Sequence, residues 1–213
     1  MTVTQTAYPD RETWLKNRHG IGASEAGSVC GVGFKSPTDL WREKVTGETG
    51  PDISDNPRVK FGNDAEPYMR DMFGLLHPEY KLWFKPYTIF RRDDKYDFMF
   101  YTPDGILTRK SDGAKGVYEC KTATLQSGTD YERWKDKIPP GYYCQLLHGM
   151  FVADLQFAVL FAMLLNRDGD ANIRAYTIQR EDCEADIQWL VDKEVEFWKC
   201  VENKTQPGTT LFL

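Results

Sequence analysis

Pro103-Asp104-Gly105-Ile106-Leu107-Thr108-Arg109-Lys110-Ser111-Asp112-Gly113-Ala114-Lys115-Gly116-Val117-Tyr118-Glu119-Cys120-Lys121-Thr122 carries the architecture of this chain. Gly105 to Arg109 and Gly116 to Thr122 have strand composition. The polar tract Lys110 to Gly113 separates them as a hairpin turn would. Alternation along a strand puts Glu119 and Lys121, two residues apart, on one face. Asp104 precedes the partner strand, so a hairpin of this size brings it alongside Glu119. Two carboxylates and an ammonium are thereby expected at one sheet edge.

Upstream, Asp10 to Lys16 reads as a short helix and Gly20-Ile21-Gly22 as a turn. Ser24 reads as the cap of a second short helix ending at Val29. Ser36-Pro37 and Gly47 bound a helix over Pro37 to Thr46. Thr49 to Pro57, rich in Gly, Pro, Asp and Ser, reads as an exposed loop. A helix beginning at Asn63 or Asp64 carries Met69, Met72, Phe73 and Leu76 at helical spacing, with Glu66 in its first turn. Strands are expected over Lys85 to Arg91 and Phe98 to Tyr101. Downstream, Tyr142 to Val152 reads as a helix, and Phe157 to Leu164 and Ile173 to Gln179 as strands. Glu181 to Asn203 closes the chain as an amphipathic helix buried through Ile187, Leu190, Val191, Val195 and Trp198. This order predicts an α/β fold with a mixed central β-sheet flanked by helices, in a single domain over 1–213.

The 213 residues, 41% hydrophobic and 28% charged, have a globular balance. No apolar run is long enough to span a membrane, and the N-terminus lacks the pattern of a signal peptide. Five cysteines without a CxxC pair fit a reducing cytoplasm better than a disulfide framework or zinc ribbon. A net charge of −5 argues against a protein that coats nucleic acid. It leaves room for an enzyme that concentrates carboxylates around a metal and holds phosphates with a few basic groups.

Asp104, Glu119 and Lys121 suit phosphodiester hydrolysis. Mg²⁺ takes hard oxygen ligands and keeps several waters. Asp104 and Glu119 could supply carboxylate oxygens, the Cys120 backbone carbonyl a third ligand, and Glu66 a second metal or its water shell. Lys121 could orient or deprotonate the attacking water. Taken singly, Pro-Asp-Gly is a common turn and Glu-x-Lys a common solvated strand edge.

Five blocks in order give the set its specificity: Arg18-His19-Gly20-Ile21-Gly22-Ala23-Ser24, Phe61-Gly62-Asn63-Asp64-Ala65-Glu66, Pro103-Asp104-Gly105, Glu119-Cys120-Lys121-Thr122 and Tyr143-Cys144-Gln145-Leu146-Leu147-His148-Gly149-Met150. Together they resemble the PD-(D/E)xK nuclease superfamily, and within it the YqaJ-type viral recombinases that include lambda exonuclease. The resemblance runs from about Trp14 to about Met150. It implies a restriction-endonuclease-like fold and metal binding by Asp104, Glu119 and the Cys120 carbonyl. It makes Lys121 the catalytic lysine, with supporting roles for Glu66 and Gln145. It also makes Arg18 and Ser24 candidates for holding a DNA 5′-phosphate; the alternatives are an ion pair for Arg18 and a plain helix cap for Ser24.

The implied activity is a Mg²⁺-dependent 5′ to 3′ exonuclease on linear double-stranded DNA, leaving 3′ single-stranded tails for phage-type recombination. Mn²⁺ is expected to substitute, with one or two ions per site. The resemblance further implies a homotrimeric ring, a single-strand annealing partner, and a phage or prophage protein in a bacterial cytoplasm. A site-selective endonuclease and a non-catalytic DNA-binding module are the alternatives. His19, His77 and His148 lack ligand spacing and read as ordinary surface or core histidines, though His148, one turn after Gln145, could line the site. Trp134 could stack on an unpaired base or pack at a loop edge. The apolar tail Thr209 to Leu213 could cover the chain's own core or dock on a neighbouring subunit.

Overall fold

The computed structural model describes residues 2–48, 50, 53, 55–92 and 95–208. Nine strands and seven helices lie among them: β1 (Val3–Ala7), α1 (Arg11–Lys16), β2 (Ile21–Gly22), α2 (Ala23–Val29), α3 (Pro37–Thr46), α4 (Pro57–Leu76), β3 (Tyr80–Trp83), β4 (Thr88–Arg92), β5 (Met99–Tyr101), β6 (Gly105–Arg109), β7 (Lys115–Thr124), α5 (Gly128–Trp134), α6 (Pro140–Val152), β8 (Phe157–Leu165), β9 (Ala171–Gln179) and α7 (Arg180–Glu202). The tail Thr209 to Leu213 and part of the expected loop Thr49 to Pro57 lie outside the described residues.

The central sheet is mixed, as expected, in the order β3-β6-β7-β8-β9, with β7 and β8 parallel and the other pairs antiparallel. β8 is apolar along most of its length, as a strand covered on both faces must be. One face packs against α4 through Met69, Phe73, Tyr118 and Phe161. The other packs against α6 and α7 through Leu146, Met150, Leu160 and Leu190. A smaller sheet, β1-β4-β5-β2, was not foreseen as a separate sheet, although β4 and β5 overlap the expected strands Lys85 to Arg91 and Phe98 to Tyr101.

Several boundaries move for identifiable reasons. α4 starts at Pro57, so Glu66 sits in mid-helix and not in the first turn. Asn56 accepts a hydrogen bond from the Arg58 N–H at 2.9 Å, and Pro57 follows at the first helical position, a start signal ahead of Gly62. Gly62 weakens the helix by about 1 kcal/mol without ending it. The expected strand Lys85 to Arg91 begins three residues later, as β4, after Tyr87, whose φ is +58°, and β3, which precedes it, was not foreseen. Ser24 is not a cap: Gly22 holds that place, its N–H bonded to the Glu25 carboxylate at 2.9 Å.

Gly20-Ile21-Gly22 is a strand entry, not a turn, since Ile21 and Gly22 pair with Met99 and Phe100. Gly20 has φ +105°, and a Cβ there would lie 2.0 Å from the Phe98 carbonyl oxygen; at Gly22 it would lie 2.8 Å from the Phe100 ring. Gly20 is therefore required by its positive φ and close backbone approach, and Gly22 makes room for the Phe100 ring.

α2 meets α6 at a second such contact, where a Cβ on Gly27 would lie 2.9 Å from the Gly141 Cα. Neither backbone can yield locally. Gly27→Ala is expected to destabilise the fold by about 1–3 kcal/mol, as overpacking does, read as a lower midpoint in urea unfolding. An unchanged midpoint would mean that the two helices part freely.

Candidate active site

β6 begins at Gly105, opposite Tyr118, so β7 runs on from Glu119 to Thr124 without a partner on that edge. The Cys120 N–H would lack an acceptor there, and Asp104, the residue before β6, supplies one: its Oδ2 accepts at 3.0 Å. Within a strand, a residue's N–H and C=O point to the same side, so the Cys120 carbonyl also faces the open edge.

Glu119 lies beneath this edge, 2% exposed. Its Oε1 accepts from Lys121 Nζ at 2.5 Å and from the Gln145 side-chain amide of α6, while its Oε2 is buried without a partner. Lys121 Nζ is also 3.9 Å from Asp104 Oδ2. Burial, and then the Asp104 charge, push the Glu119 carboxyl up to about 8, against the pull of Lys121. Burial works against a charged Lys121, yet Glu119 and Asp104 more than offset it and hold the ammonium protonated, above its ordinary value. One cation is thus shared by two carboxylates.

Glu66 faces the same cluster from α4. Its carboxyl is raised by burial and by Asp104, with Lys121 and Arg70 opposing. Arg70, one turn on, sits 3.7 Å from Glu66 and donates to the Asp104 carbonyl at 3.4 Å, its guanidinium over the Phe84 ring. The sequence reading missed Arg70, although Glu66 and Arg70 have the i, i+4 spacing of a helical ion pair.

A cavity of about 810 Å³ opens over the cluster, lined by Lys121, Cys120, Glu66, Gln145 and Ser24 among others. Arg18 is not on its wall. The Arg18 guanidinium lies 4.4 Å from the Trp14 ring centre and 5.6 Å from that of Phe100, with Nε buried and unpartnered. The structure therefore brings Asp104, Glu119, Lys121, Glu66 and Gln145 together, puts Ser24 on the wall of their cavity and leaves Arg18 off it.

For two further residues the structure favours the packing alternative. His148 is buried on another side of α6, between Glu194 and the Phe100 carbonyl. Trp134 reaches the cavity wall but is almost wholly buried: it ends α5, an unforeseen helix capped by Ser127 and Asp130, and packs against Tyr142 and Tyr176.

Among the described residues no three His, Cys, Asp or Glu side chains stand together as a ready metal cage. The donor set still fits Mg²⁺, which uses one or two carboxylates and completes its shell with carbonyl and water oxygens. The unpartnered Glu119 Oε2 and the excess of carboxylates over ammonium are what a divalent cation would relieve.

This sheet, opened beside Asp104 and carrying Glu119 and Lys121 on the exposed strand, is a PD-(D/E)xK-type nuclease fold. An alkaline exonuclease from Laribacter hongkongensis superposes with TM-score 0.65 at 17% identity, over 91% of this chain and 94% of that one. Its complex with dAMP gives 0.67 at 18% identity, with the same coverage of both chains. A phage-related exonuclease from Haemophilus somnus 129PT gives 0.53 at 13%, over 90% of this chain and 99% of that one. At these identities the likeness establishes the fold. No curated protein sequence matches the chain significantly. The chain belongs to the YqaJ-like viral recombinase domain family, whose model matches residues 13–156.

Proposed function

We infer that the protein is a Mg²⁺-dependent exonuclease that degrades linear duplex DNA from 5′ ends, with Mn²⁺ able to substitute. The observation that carries this reading is the Asp104 bond to the Cys120 N–H, which fixes Asp104, Glu119 and Lys121 as one cluster under an open cavity. Family membership and the exonuclease names of the structural neighbours support it, as does the mononucleotide dAMP in one of those structures.

Asp104, Glu119 and the Cys120 carbonyl would hold the ion, with Glu66 reaching it through water. When bound, Mg²⁺ would activate a water and neutralise the scissile phosphate. Lys121, held protonated, orients that water and stabilises the charge that develops on the phosphate; its raised pKa favours these roles over proton abstraction. Gln145 keeps Glu119 turned toward the cluster. Ser24, on the cavity wall, is a better placed candidate for a terminal phosphate than Arg18, which does not line it.

Linear duplex bearing 5′-phosphates should be degraded in Mg²⁺ with release of mononucleotides, while covalently closed circular duplex should stay intact. Equal cutting of both would make the enzyme an endonuclease and reject this reading. The reading extends to a ring of three copies that passes a 3′ tail to a single-strand annealing protein. Mass photometry of the full chain reads the first part of that directly.

A further inference from the structure

The chain has twelve arginines. Nine have a hydrogen bond, an ion pair or an aromatic ring as partner. Arg11, Arg58 and Arg133 have none among the described residues, and two of these, Arg58 and Arg133, line the cavity that holds Lys121 and Glu66. They reach it from different elements, Arg58 from the first turn of α4 and Arg133 from the last turn of α5.

Asp130, also on the cavity wall, has its pKa lowered first by the Ser127 hydroxyl; the Arg133 charge helps to lower it, but the two make no salt bridge. Its Oδ2 accepts from the backbone N–H groups of Gln126 and Ser127 and caps the start of α5. Arg58 precedes Glu66 by eight residues, about 12 Å along the helix axis. That distance corresponds to about three or four nucleotides of duplex rise.

An unpaired guanidinium beside a cleft keeps its full fork of donors for a phosphate, which it can grip bidentately. In a chain of net charge −5, the affinity for a polyanion must come from such local groups. Resting on the nuclease reading of this site, we propose that Arg58 and Arg133 form a two-point clamp on DNA backbone phosphates away from the one that is cut, one from each wall of the cleft. The clamp holds the strand in line with Lys121 and carries no base specificity.

The test is equilibrium binding of a 5′-phosphorylated duplex oligonucleotide to the full chain, with Ca²⁺ in place of Mg²⁺, across a series of KCl concentrations. Arg58→Gln and Arg133→Gln should each weaken binding by about tenfold. Each should make the slope of log K against log salt shallower by about 0.7–0.9, and the double variant by about 1.4–1.8. In Mg²⁺ the change should fall on KM more than on kcat. Lys115→Gln removes an exposed charge at the far end of β7, about 20 Å from Lys121, and should keep the wild-type slope. Wild-type slopes in the arginine variants, or an equal change in Lys115→Gln, would overturn the clamp while DNA cutting by the wild type leaves the nuclease reading standing. A wild type that neither binds nor cuts DNA would overturn that reading, and the clamp with it.

Discussion

Lys121→Met is expected to lower turnover on linear duplex DNA by about 10²–10⁴-fold, the range for a group that acts on the proton and charge of the transition state. Methionine keeps the aliphatic stem beneath Tyr142, whose ring centre lies 5.9 Å from Nζ, so the loss reports the ammonium. DNA binding measured in Ca²⁺ should persist, because the proposed phosphate contacts lie elsewhere on the cavity wall.

The same variant makes a prediction about stability. Removing one partner of a buried ion pair usually costs about 3–5 kcal/mol, but here the orphaned group can take up a proton. Glu119 already has its folded pKa raised to about 8 by burial and Asp104, above an unfolded value of about 4.3. Between those values the native state binds more protons than the unfolded state, so ionising Glu119 removes stability as pH rises. Without Lys121 the folded value climbs further and the loss extends to higher pH. Urea unfolding should therefore show a small penalty for Lys121→Met at pH 6 and a larger one at pH 9. A penalty that does not change with pH would show that Lys121 does not hold the Glu119 charge.

The hairpin that places Asp104 beside Glu119 was legible because its two signals are local: a polar turn between two strands, and the period of two that puts Glu119 and Lys121 on one face. β6 begins and ends as read, and β7 is longer by one residue at one end and two at the other. α3 also follows its local caps, with Ser36 accepting from Asp39 N–H and Gly47 in the left-handed region. The misses share a different cause. β1, two residues of β2, and β3 hold their places through pairing with strands distant in sequence, which no local pattern encodes. α5 rests on the Ser127–Asp130 capping box, a signal present in the sequence but set in a polar stretch without apolar periodicity.

The site divides in the same way. Asp104, Glu119 and Lys121 follow from strand geometry, whereas Gln145 reaches Glu119 from another element, 26 residues on. Only the family resemblance connected the two. Arg18 shows what a motif leaves out. Its motif was recognisable, but its packing on Trp14 depends on how α1 lies against β5, and that is a matter of tertiary contact.

Glu194→Gln is expected to cost about 3–5 kcal/mol at pH 5.5, as loss of one partner from a buried charge pair does, and the cost should shrink at higher pH. His148 and Glu194 are both almost wholly buried. His148 Nε2 lies 2.9 Å from the Phe100 carbonyl, which can only accept, so this nitrogen is the donor. Nδ1 lies 2.7 Å from Glu194 Oε1, and a proton shared across that contact makes the pair imidazolium and carboxylate in character. Burial lowers the affinity of His148 for its proton, but the Glu194 charge, its hydrogen bond and the Phe100 carbonyl outweigh burial and leave the pKa raised. The contribution of a raised histidine is complete below its unfolded value of about 6.5 and is lost as pH rises through the higher folded value.

In Glu194→Gln the balance reverses. Burial, the largest influence on His148, then outweighs the Phe100 carbonyl and the Glu25 charge and depresses it, so the variant loses stability as pH falls below about 6.5 while the wild type loses it above. Urea unfolding from pH 5 to 9 should give profiles of opposite slope for this component, and parallel profiles would dismiss the pair as a charged one. The pair matters to the site because it ties α6 to α7 through Glu194 and to β5 through Phe100, one helical turn from Gln145. A hydrophobic pair could stabilise α6 as well or better, but it would not fix the rotation of the helix that turns Gln145 onto Glu119. Glu194→Gln should therefore also lower kcat at high pH, where the stability penalty has shrunk.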